Sequence, residues 1–466
     1  MFVACLPTHR NAVMSAQEAP LLVSRICSAW RVIALTTPSL WASLHIPGYF
    51  ILKRPEQRIP AMTRWLQLSG VLPISLSFEL LDRSVPPRPF EDFETLCLLM
   101  DALAESASRW DNLVVQNLVT TVPLGFANAE AAILKSFEGE GVTLSVLRQL
   151  DVLLRTSSLR TLILLLDSLQ PGFDGSSDLL DLPCHWENLT HMTLKPRHCH
   201  GGLPLSRVLT LLQRCPRLVS FHVTPNDDNT PDWDRYATSI PLPVLESLIL
   251  FEPAALDLKS VSPLLDTLFL PKLRQLHIPT TSYSSAQLDQ HQLFPDLSMA
   301  LEDLLIYLPS YTAPMILQAL GAFSNLTTLT IQTGYQRQWQ WESGAHDADV
   351  EPCSPEHLLE LLTPSPEMVL CPKLQSLELG DRGPVLKGTL EQFIWGRIDL
   401  RVGFRRLAIL RDGQNRQLSQ EFSVDETQMF RSQGVEVSLP ISLSNHGAWG
   451  QPTPWTSLSD GWPSGQ

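Results

Sequence analysis

The sequence predicts an α/β fold, an irregular solenoid with short parallel strands on one face and helices or loops on the other. The main evidence is a repeated apolar pattern, in which one apolar residue is followed by two more at the third and fifth positions after it. Consecutive copies start 25 to 30 residues apart, except for the last interval of 48 residues. The copies start at Leu159, Leu189, Leu218, Leu245, Leu273, Leu301, Leu326 and Leu374.

Each copy of this pattern has a direct structural interpretation. Its second and third apolar positions alternate with other residues, as a strand with one buried face requires. The first position closes the turn that enters the strand, and a helix or loop returns the chain to the next copy. One copy cannot bury its own apolar face, so neighbouring copies must stack, which is typical of leucine-rich repeats. A parallel sheet of an ordinary α/β enzyme is the main alternative, and a chance run of leucines is a weaker one.

Less regular units of helix and strand extend the predicted leucine-rich solenoid over residues 70–440. Pro73 to Phe78 alternates like a strand, and Phe90 to Ala107 has the apolar spacing of a helix. The stretches Leu407–Ile409 and Val435–Val437 predict closing strands.

Three further segments complete the predicted domain organisation. Residues 1–50 form a short all-α segment that packs on the solenoid, and residues 51–69 form a connecting helix. No flexible linker is expected between the N-terminal segment and the solenoid, because the polar and proline-rich composition of a free linker is absent. Residues 441–466 lack any apolar period and predict a disordered tail.

The composition limits the classes of partner. The 466-residue chain is 44% apolar, enough for a large core, and carries a formal net charge of −14. Nucleic acids and anionic membranes bind an excess of Lys and Arg, which this chain lacks. We therefore expect no nucleic-acid and no membrane partner, and no apolar run has the length of a membrane-spanning helix.

The cysteines indicate the compartment. All eight are scattered, and none forms a C-x-x-C pair. This usage favours reduced thiols in the cytosol or nucleus, and residues 1–10 lack the apolar core of a signal peptide. An intracellular protein, cytoplasmic or nuclear, is expected. Cys215 and Cys371 each precede a repeat strand and are expected to be packing residues.

Two polar clusters raise the question of a metal. The acidic stretch Asn226–Asp234 lacks the glycine and the distal glutamate of an EF-hand loop. The second cluster has no common zinc spacing; its members are Cys184, His185, His191, His198, Cys199 and His200. We expect no metal and no cofactor.

Motifs of catalysis are absent from the sequence. It contains no phosphate-binding loop of the G-x-x-x-x-G-K-[ST] type, no G-x-S-x-G and no H-E-x-x-H. A broad solenoid surface suits protein binding better than a closed, dry cavity does. The chain is therefore predicted not to be an enzyme, and an unrecognised α/β enzyme is the third and least favoured hypothesis.

The N-terminal segment predicts one amphipathic helix. Pro20 suits the first turn, where its missing N–H is no loss. Leu22, Ile26, Ala29 and Ile33 then share one helical face.

The residues of this segment resemble the second half of an F-box. Residues 20–31 read PLLVSRICSAWR, and residues 37–44 read TPSLWASL. They are similar to the V/I-C-x-x-W helix and the T-P-x-L-W-x-x-L turn of the F-box-like proteins of mushroom-forming fungi, whose remainder is also leucine-rich. An F-box usually begins with a Leu-Pro-x-Glu segment and an apolar helix. Of this first part, the chain contains only Met1 to Pro7, which looks like the tail of that helix. The resemblance therefore implies an F-box that is incomplete at its N-terminus.

The resemblance implies a substrate receptor of an SCF-type (cullin-RING) ubiquitin ligase. Its N-terminal helices would bind a Skp-type adaptor, and its leucine-rich solenoid would bind a protein target. The implied adaptor-binding residues are Leu22, Ile26, Cys27, Trp30, Ile33, Leu40 and Trp41. The alternative is a stand-alone leucine-rich protein-interaction scaffold with a vestigial F-box.

The longest insert between repeats spans residues 334–366 and is a candidate target-binding loop. Long irregular inserts in solenoids map to one face, often the binding face. Exposed Trp, Tyr and Arg residues commonly anchor interfaces. The candidate residues are Tyr335, Arg337, Trp339 and Trp341. A disordered surface loop is an equally good interpretation of this insert.

Overall fold

The structure is a computed structural model and describes most of the chain. The described residues are 2–47, 54–79, 93–118, 124–166, 179–196, 202–226, 239–251, 264–278, 300–308, 312–332, 353–365, 368–381, 386–400, 403–411 and 422–442. The chain divides into two compact units: the first comprises Met1–Leu256 and Pro263–Lys272, and the second comprises Asp257–Ser262 and Leu273–Gln466. Across these described stretches, no helix has both the length and the apolar character needed to cross a membrane.

A parallel sheet forms the centre of the first unit. Its strands neighbour one another in chain order, and every adjacent pair runs in parallel. The strands are β1 (Ser43–Pro47), β2 (Ile74–Glu79), β3 (Trp110–Gln116), β4 (Ser136–Val142), β5 (Thr161–Leu166), β6 (His191–Pro196), β8 (Ser220–Val223) and β11 (Ser247–Leu250). Two short parallel pairs lie outside it, β7 (Leu203–Pro204) with β9 (Pro225–Asn226), and β10 (Ile240–Pro241) with β12 (Leu268–Phe269).

The register of this sheet explains the repeated apolar pattern. Strands pair so that the second apolar position of each copy meets its equivalent in the next strand, and all of these positions are buried. Because side chains alternate along a strand, the residues between them point to the opposite, more exposed face. The aligned buried residues are Leu44, Leu76, Leu113, Phe137, Leu162, Met192, Phe221 and Leu248.

Helices connect the strands and supply the rest of the first core. They are α1 (Leu21–Ile26), α2 (Ser28–Leu35), α3 (Pro55–Leu68), α4 (Phe93–Ala104), α5 (Leu124–Ala127), α6 (Leu144–Gln149), α7 (Asp151–Leu154) and α8 (Leu205–Arg214). Phe126 of α5 shows how they pack. Its ring lies 5.5 Å from that of Phe78 in β2 and 5.3 Å from that of Trp110 in β3, between centroids, and all three residues are buried.

The second unit is built on the same principle. Its parallel strands are β13 (Gln275–Ile278), β14 (Asp303–Tyr307), β15 (Thr328–Gln332), β16 (Ser376–Asp381), β17 (Arg406–Arg411) and β18 (Glu436–Ser442). The helices are α9 (Ala313–Ala322), α10 (Pro355–Leu362), α11 (Lys387–Asp399) and α12 (Val424–Ser432). The aligned buried residues are Leu276, Leu304, Leu329, Leu377, Leu407 and Val437.

A buried guanidinium ties α11 to the preceding segment of the second unit. Arg397 is fully buried and donates to the backbone carbonyls of Leu362 at 2.7 Å, Leu370 at 2.8 Å and Cys371 at 2.9 Å. Burial lowers the pKa of Arg397 to about 10. The group therefore stays charged at neutral pH, with carbonyl dipoles as its partners.

The predicted α/β class and its large parallel sheet are confirmed. The strand expected at residues 73–78 is β2, and the expected closing strands are β17 and β18. The helix expected at Phe90 to Ala107 is the shorter α4. Residues 443–466, most of the predicted tail, lie outside the described residues.

The expectation of an all-α segment over residues 1–50 is wrong. Residues Ser43–Pro47 form β1, which pairs with β2, so the sheet begins well before residue 70. The physical reason is that Leu44 and Ile46 alternate with polar neighbours and bury one face. With Trp41, they already follow the spacing of the later copies.

Two other N-terminal expectations also differ from the structure. The single helix expected after Pro20 is broken into α1 and α2, because the backbone of Cys27 is extended with φ −155° and ψ 171°. The tail of an α-helix expected over Met1 to Pro7 is a single 3-10 turn, Phe2–Cys5.

Candidate functional site

Helices α1 and α2 present a set of large apolar side chains to solvent. Six of them are between 37% and 62% exposed, although apolar helical faces in this fold normally contribute to the core. Single exposed apolar residues are ordinary, but six within the stretch Leu21–Leu35 are a concentration of the kind that indicates an interaction site. The set, named here the α1–α2 surface, consists of Leu22, Ile26, Trp30, Val32, Ile33 and Leu35.

The α1–α2 surface contrasts with helix α8. Helices α1 and α2 together have eight large apolar residues, and α8 has five. Helix α8 buries five residues against the first core, whereas α1 buries only Val23 and α2 buries only Ala34. The apolar residues of α1 and α2 are therefore largely surplus to the folding of the first unit.

The entry to α1 is held by a carboxylate. Glu18 accepts two hydrogen bonds from the guanidinium of Arg10, at 2.6 and 3.2 Å, and one from the backbone N–H of Val13 at 3.2 Å. The Leu22 N–H in turn donates to the Glu18 carbonyl at 2.8 Å. These contacts connect the first turn of α1 to the segment that runs beside β1.

The junction between the two helices is also hydrogen-bonded. The Sγ atom of Cys27 accepts from the Trp30 N–H at 3.5 Å and caps the start of α2. The Arg31 side chain donates from Nε to the Ser24 carbonyl at 3.0 Å, across the break. Cys27 itself is exposed, so this thiol shapes the surface and also lies on it.

The last turn of α2 is hydrogen-bonded to the indole of Trp41. Trp41 is buried and donates from Nε1 to the Ala34 carbonyl at 2.8 Å. Its ring meets that of Trp65 in α3 edge-on, with 4.9 Å between centroids. Leu40, next to it, is fully buried.

This placement corrects two of the implied adaptor-binding residues. Leu40 and Trp41 are in the interior and offer no surface to a partner, because they anchor α2 to the first core. Leu22 and Ile26 of α1, Cys27 at the junction, and Trp30 and Ile33 of α2 are all exposed, as a contact role requires.

Three residues on or beside this surface were not predicted from the sequence. Val32 and Leu35 do not share the helical face that was expected to contact a partner, yet both are exposed. Phe2 lies beside the surface, with its ring 4.9 Å from that of Trp30, between centroids. The spacing of apolar residues offered no signal for this aromatic pair.

The charge around the α1–α2 surface differs from that of the whole chain. No acidic residue occurs between Ala19 and Pro47, whereas the chain as a whole carries a net charge of −14. Arg25 and Arg31 lie exposed on the two helices. The surface is thus apolar with a basic margin, which suits a partner with an acidic rim.

The remaining candidate residues provide no second site within the described part of the chain. Tyr335, Arg337, Trp339 and Trp341 lie outside the described residues, as do His198, Cys199 and His200. In the described part of the chain, no three His, Cys, Asp or Glu residues are placed to hold a metal ion. Cys215 and Cys371 are buried as expected, and burial raises the pKa of each thiol to about 12.

A serine and a histidine meet at the first strand pair. His45 contacts Ser77 through Nδ1 at 2.9 Å from Oγ, and Asn11 donates to the same hydroxyl at 3.0 Å. Burial, with a smaller effect of Arg10, lowers the pKa of His45 to about 3. An imidazole with so low a pKa is a weak base at neutral pH. These contacts connect the segment around Asn11 to β1 and β2.

No protein-family model matches this chain, and no curated protein matches it.

Proposed function

We propose that this chain is a substrate receptor of an SCF-type (cullin-RING) ubiquitin ligase, whose α1–α2 surface binds a Skp-type adaptor. The observation that supports this proposal most is the exposure of Leu22, Ile26, Trp30 and Ile33. Leu22, Ile26 and Trp30 lie in a stretch that resembles an F-box, and all four are apolar residues that the first core does not use. Their burial by a partner would contribute the apolar area that a stable complex needs.

The second part of the proposal is a leucine-rich solenoid that binds a protein target. It is supported by parallel strands in chain order and by apolar positions that align from strand to strand in each unit. A stack of this kind leaves one sheet face available along its length. A protein target on that face and an adaptor on the α1–α2 surface would occupy separate parts of the chain.

A stand-alone binding scaffold is the alternative. It would use the same sheet face for its partner and would leave the α1–α2 surface vestigial. The exposed apolar set favours the receptor, because a surface without a partner gains nothing from six large apolar side chains. An unrecognised α/β enzyme is the least favoured hypothesis; it would need a pocket with clustered titratable groups.

Co-expression of the full chain with a Skp-type adaptor tests the receptor. We expect the wild-type chain to co-elute with the adaptor in size-exclusion chromatography, and Ile26→Asp and Ile33→Asp to elute alone. Val71→Asp is the matched control, because Val71 is 91% exposed in the same unit but lies outside α1 and α2. Circular dichroism confirms that each variant is folded. The proposal fails if folded wild-type chain never co-elutes, or if both Asp variants co-elute as Val71→Asp does.

A further inference from the structure

The exposed face of the first sheet carries charges of opposite sign on different strands. Glu138 and Glu140 lie on β4, and Lys195 lies on β6 with His222 on β8. All four occupy positions between the buried ladder residues, so their side chains share the face opposite the core, where Glu138, Lys195 and His222 are half-buried and Glu140 is 7% exposed.

The acidic side centres on Glu138. Its carboxylate makes no hydrogen bond or ion pair with any other described residue. Burial, and then the neighbouring Glu140, raises the pKa of Glu138. The carboxylate of Glu140 accepts from Gln116 Nε2 at 2.8 Å and is fixed on the same face. A cation placed over these two carboxylates would relieve the repulsion between them.

The basic side is organised around an aromatic ring. The ammonium of Lys195 lies 4.4 Å from the centroid of the Phe251 ring, and the His222 ring meets the same ring edge-on at 6.0 Å. His222 Nε2 also lies 2.9 Å from the Ser220 hydroxyl. These contacts hold a cationic and an imidazole group at defined positions.

Apolar side chains separate the two sides. Ile163 of β5 pairs in register with Glu138, and Leu165 pairs with both Glu140 and Lys195. Three strand spacings separate Glu138 from His222 through Ile163 and Thr193. At about 4.8 Å a spacing this is roughly 14 Å, the length of about four extended residues.

We propose that this face, from β4 to β8, binds an extended segment of the target protein in which a Lys or Arg precedes or follows an Asp or Glu by three to five residues. The basic residue lies over Glu138 and Glu140, the acidic residue lies near Lys195 and His222, and an apolar residue between them contacts Ile163. The inference rests on the target-binding part of the proposed function. The two charges of a given segment fix its position on the sheet, and their order along the segment fixes the direction in which it lies. A purely apolar face would specify neither.

Selection from a phage-displayed library of random 12-residue peptides, on the immobilised full chain, tests this proposal. We expect the wild-type chain to enrich peptides with one basic and one acidic residue three to five positions apart. Glu138→Lys should lose the basic preference but keep the acidic one, and Lys195→Glu should do the reverse. Glu138→Gln, nearly equal in size, separates charge from shape, and Glu105→Lys places the same charge change elsewhere on the first unit.

Synthetic copies of the enriched peptides give the quantitative measurement. Their dissociation constants should rise about tenfold or more in Glu138→Lys and stay within about twofold in Glu105→Lys. The proposal is overturned if no peptides are enriched, if the enriched peptides lack the charge pair, or if they match this chain's own sequence. It is also overturned if Glu138→Lys and Glu105→Lys bind the peptides equally well. Adaptor co-elution is measured on the same proteins. If it persists while the charge pair fails, the adaptor proposal stands and only the target inference falls.

Discussion

The indole of Trp41 donates a hydrogen bond from Nε1 to the backbone carbonyl of Ala34 at 2.8 Å. This contact joins the start of the sheet to the last turn of α2, whose other residues are mostly exposed. The α1–α2 surface is therefore held by a few interior groups, and its apolar side chains are free to contact a partner.

This division of roles predicts opposite effects for two tryptophans. Trp41→Ala should lower the free energy of unfolding by about 3–5 kcal/mol, because it removes a buried aromatic ring. Trp30→Ala should lower it by less than about 1 kcal/mol, since Trp30 is exposed, but should abolish adaptor co-elution. Urea unfolding and size-exclusion chromatography of both variants make the comparison. A Trp30 variant that unfolds as easily as the Trp41 variant would show that the surface belongs to the core.

His45 predicts a pH dependence of stability in the first unit. Its pKa is about 3 in the folded chain and 6.5 ordinarily, so the unfolded chain binds the extra proton between these values. Stability from this group is complete above about pH 6.5 and falls as the pH drops toward 3, by up to about 1.4 kcal/mol per pH unit. Urea unfolding at pH 7, 6 and 5 measures the slope.

The matched variant for this pH effect is His45→Asn, whose amide can still bond to the Ser77 hydroxyl. The asparagine side chain does not titrate in this range, so the variant's free energy of unfolding should fall less steeply between pH 7 and 5. Equal slopes for the variant and the wild-type chain would show that His45 is not the group responsible.

The strand register of the second unit predicts a difference between neighbouring residues. Leu276→Ala should cost about 2–5 kcal/mol, because Leu276 is fully buried and aligned with Leu304. Gln275→Ala should cost about 1 kcal/mol or less, because its amide donates to Asp303 Oδ2 at 2.9 Å on the exposed face. Denaturant midpoints of the two variants give the comparison, and equal shifts would contradict the assigned register.

The sequence alone predicted most of the sheet, because burial of one strand face restricts which residues occupy alternate positions. The spacing of Leu276 and Leu377 within their repeats is enough to assign both residues to the core. Strand β4 was not predicted, because the third position of its apolar pattern is Gly139, which has no apolar side chain. Nearby side chains fill the space at Gly139, where an added Cβ would lie 2.8 Å from Val142 Cγ2.

The candidate site was less predictable, for a physical reason. Apolar spacing shows that residues share a helical face, but it does not show what covers that face. Ile33 and Leu40 are equally apolar in the sequence, yet Ile33 is exposed and Leu40 is buried. The extended backbone at Cys27 depends on contacts such as that between Arg31 and the Ser24 carbonyl, which join residues across the break.

Hydrogen–deuterium exchange of the full chain, with and without a saturating Skp-type adaptor, tests the central claim most directly. The receptor proposal predicts slower exchange of the amides in Leu21–Leu35 when the adaptor is present. It predicts unchanged exchange in the strands of both units. Unchanged exchange over Leu21–Leu35 at saturating adaptor, or protection confined to other segments, would contradict the claim that α1 and α2 form the adaptor-binding surface.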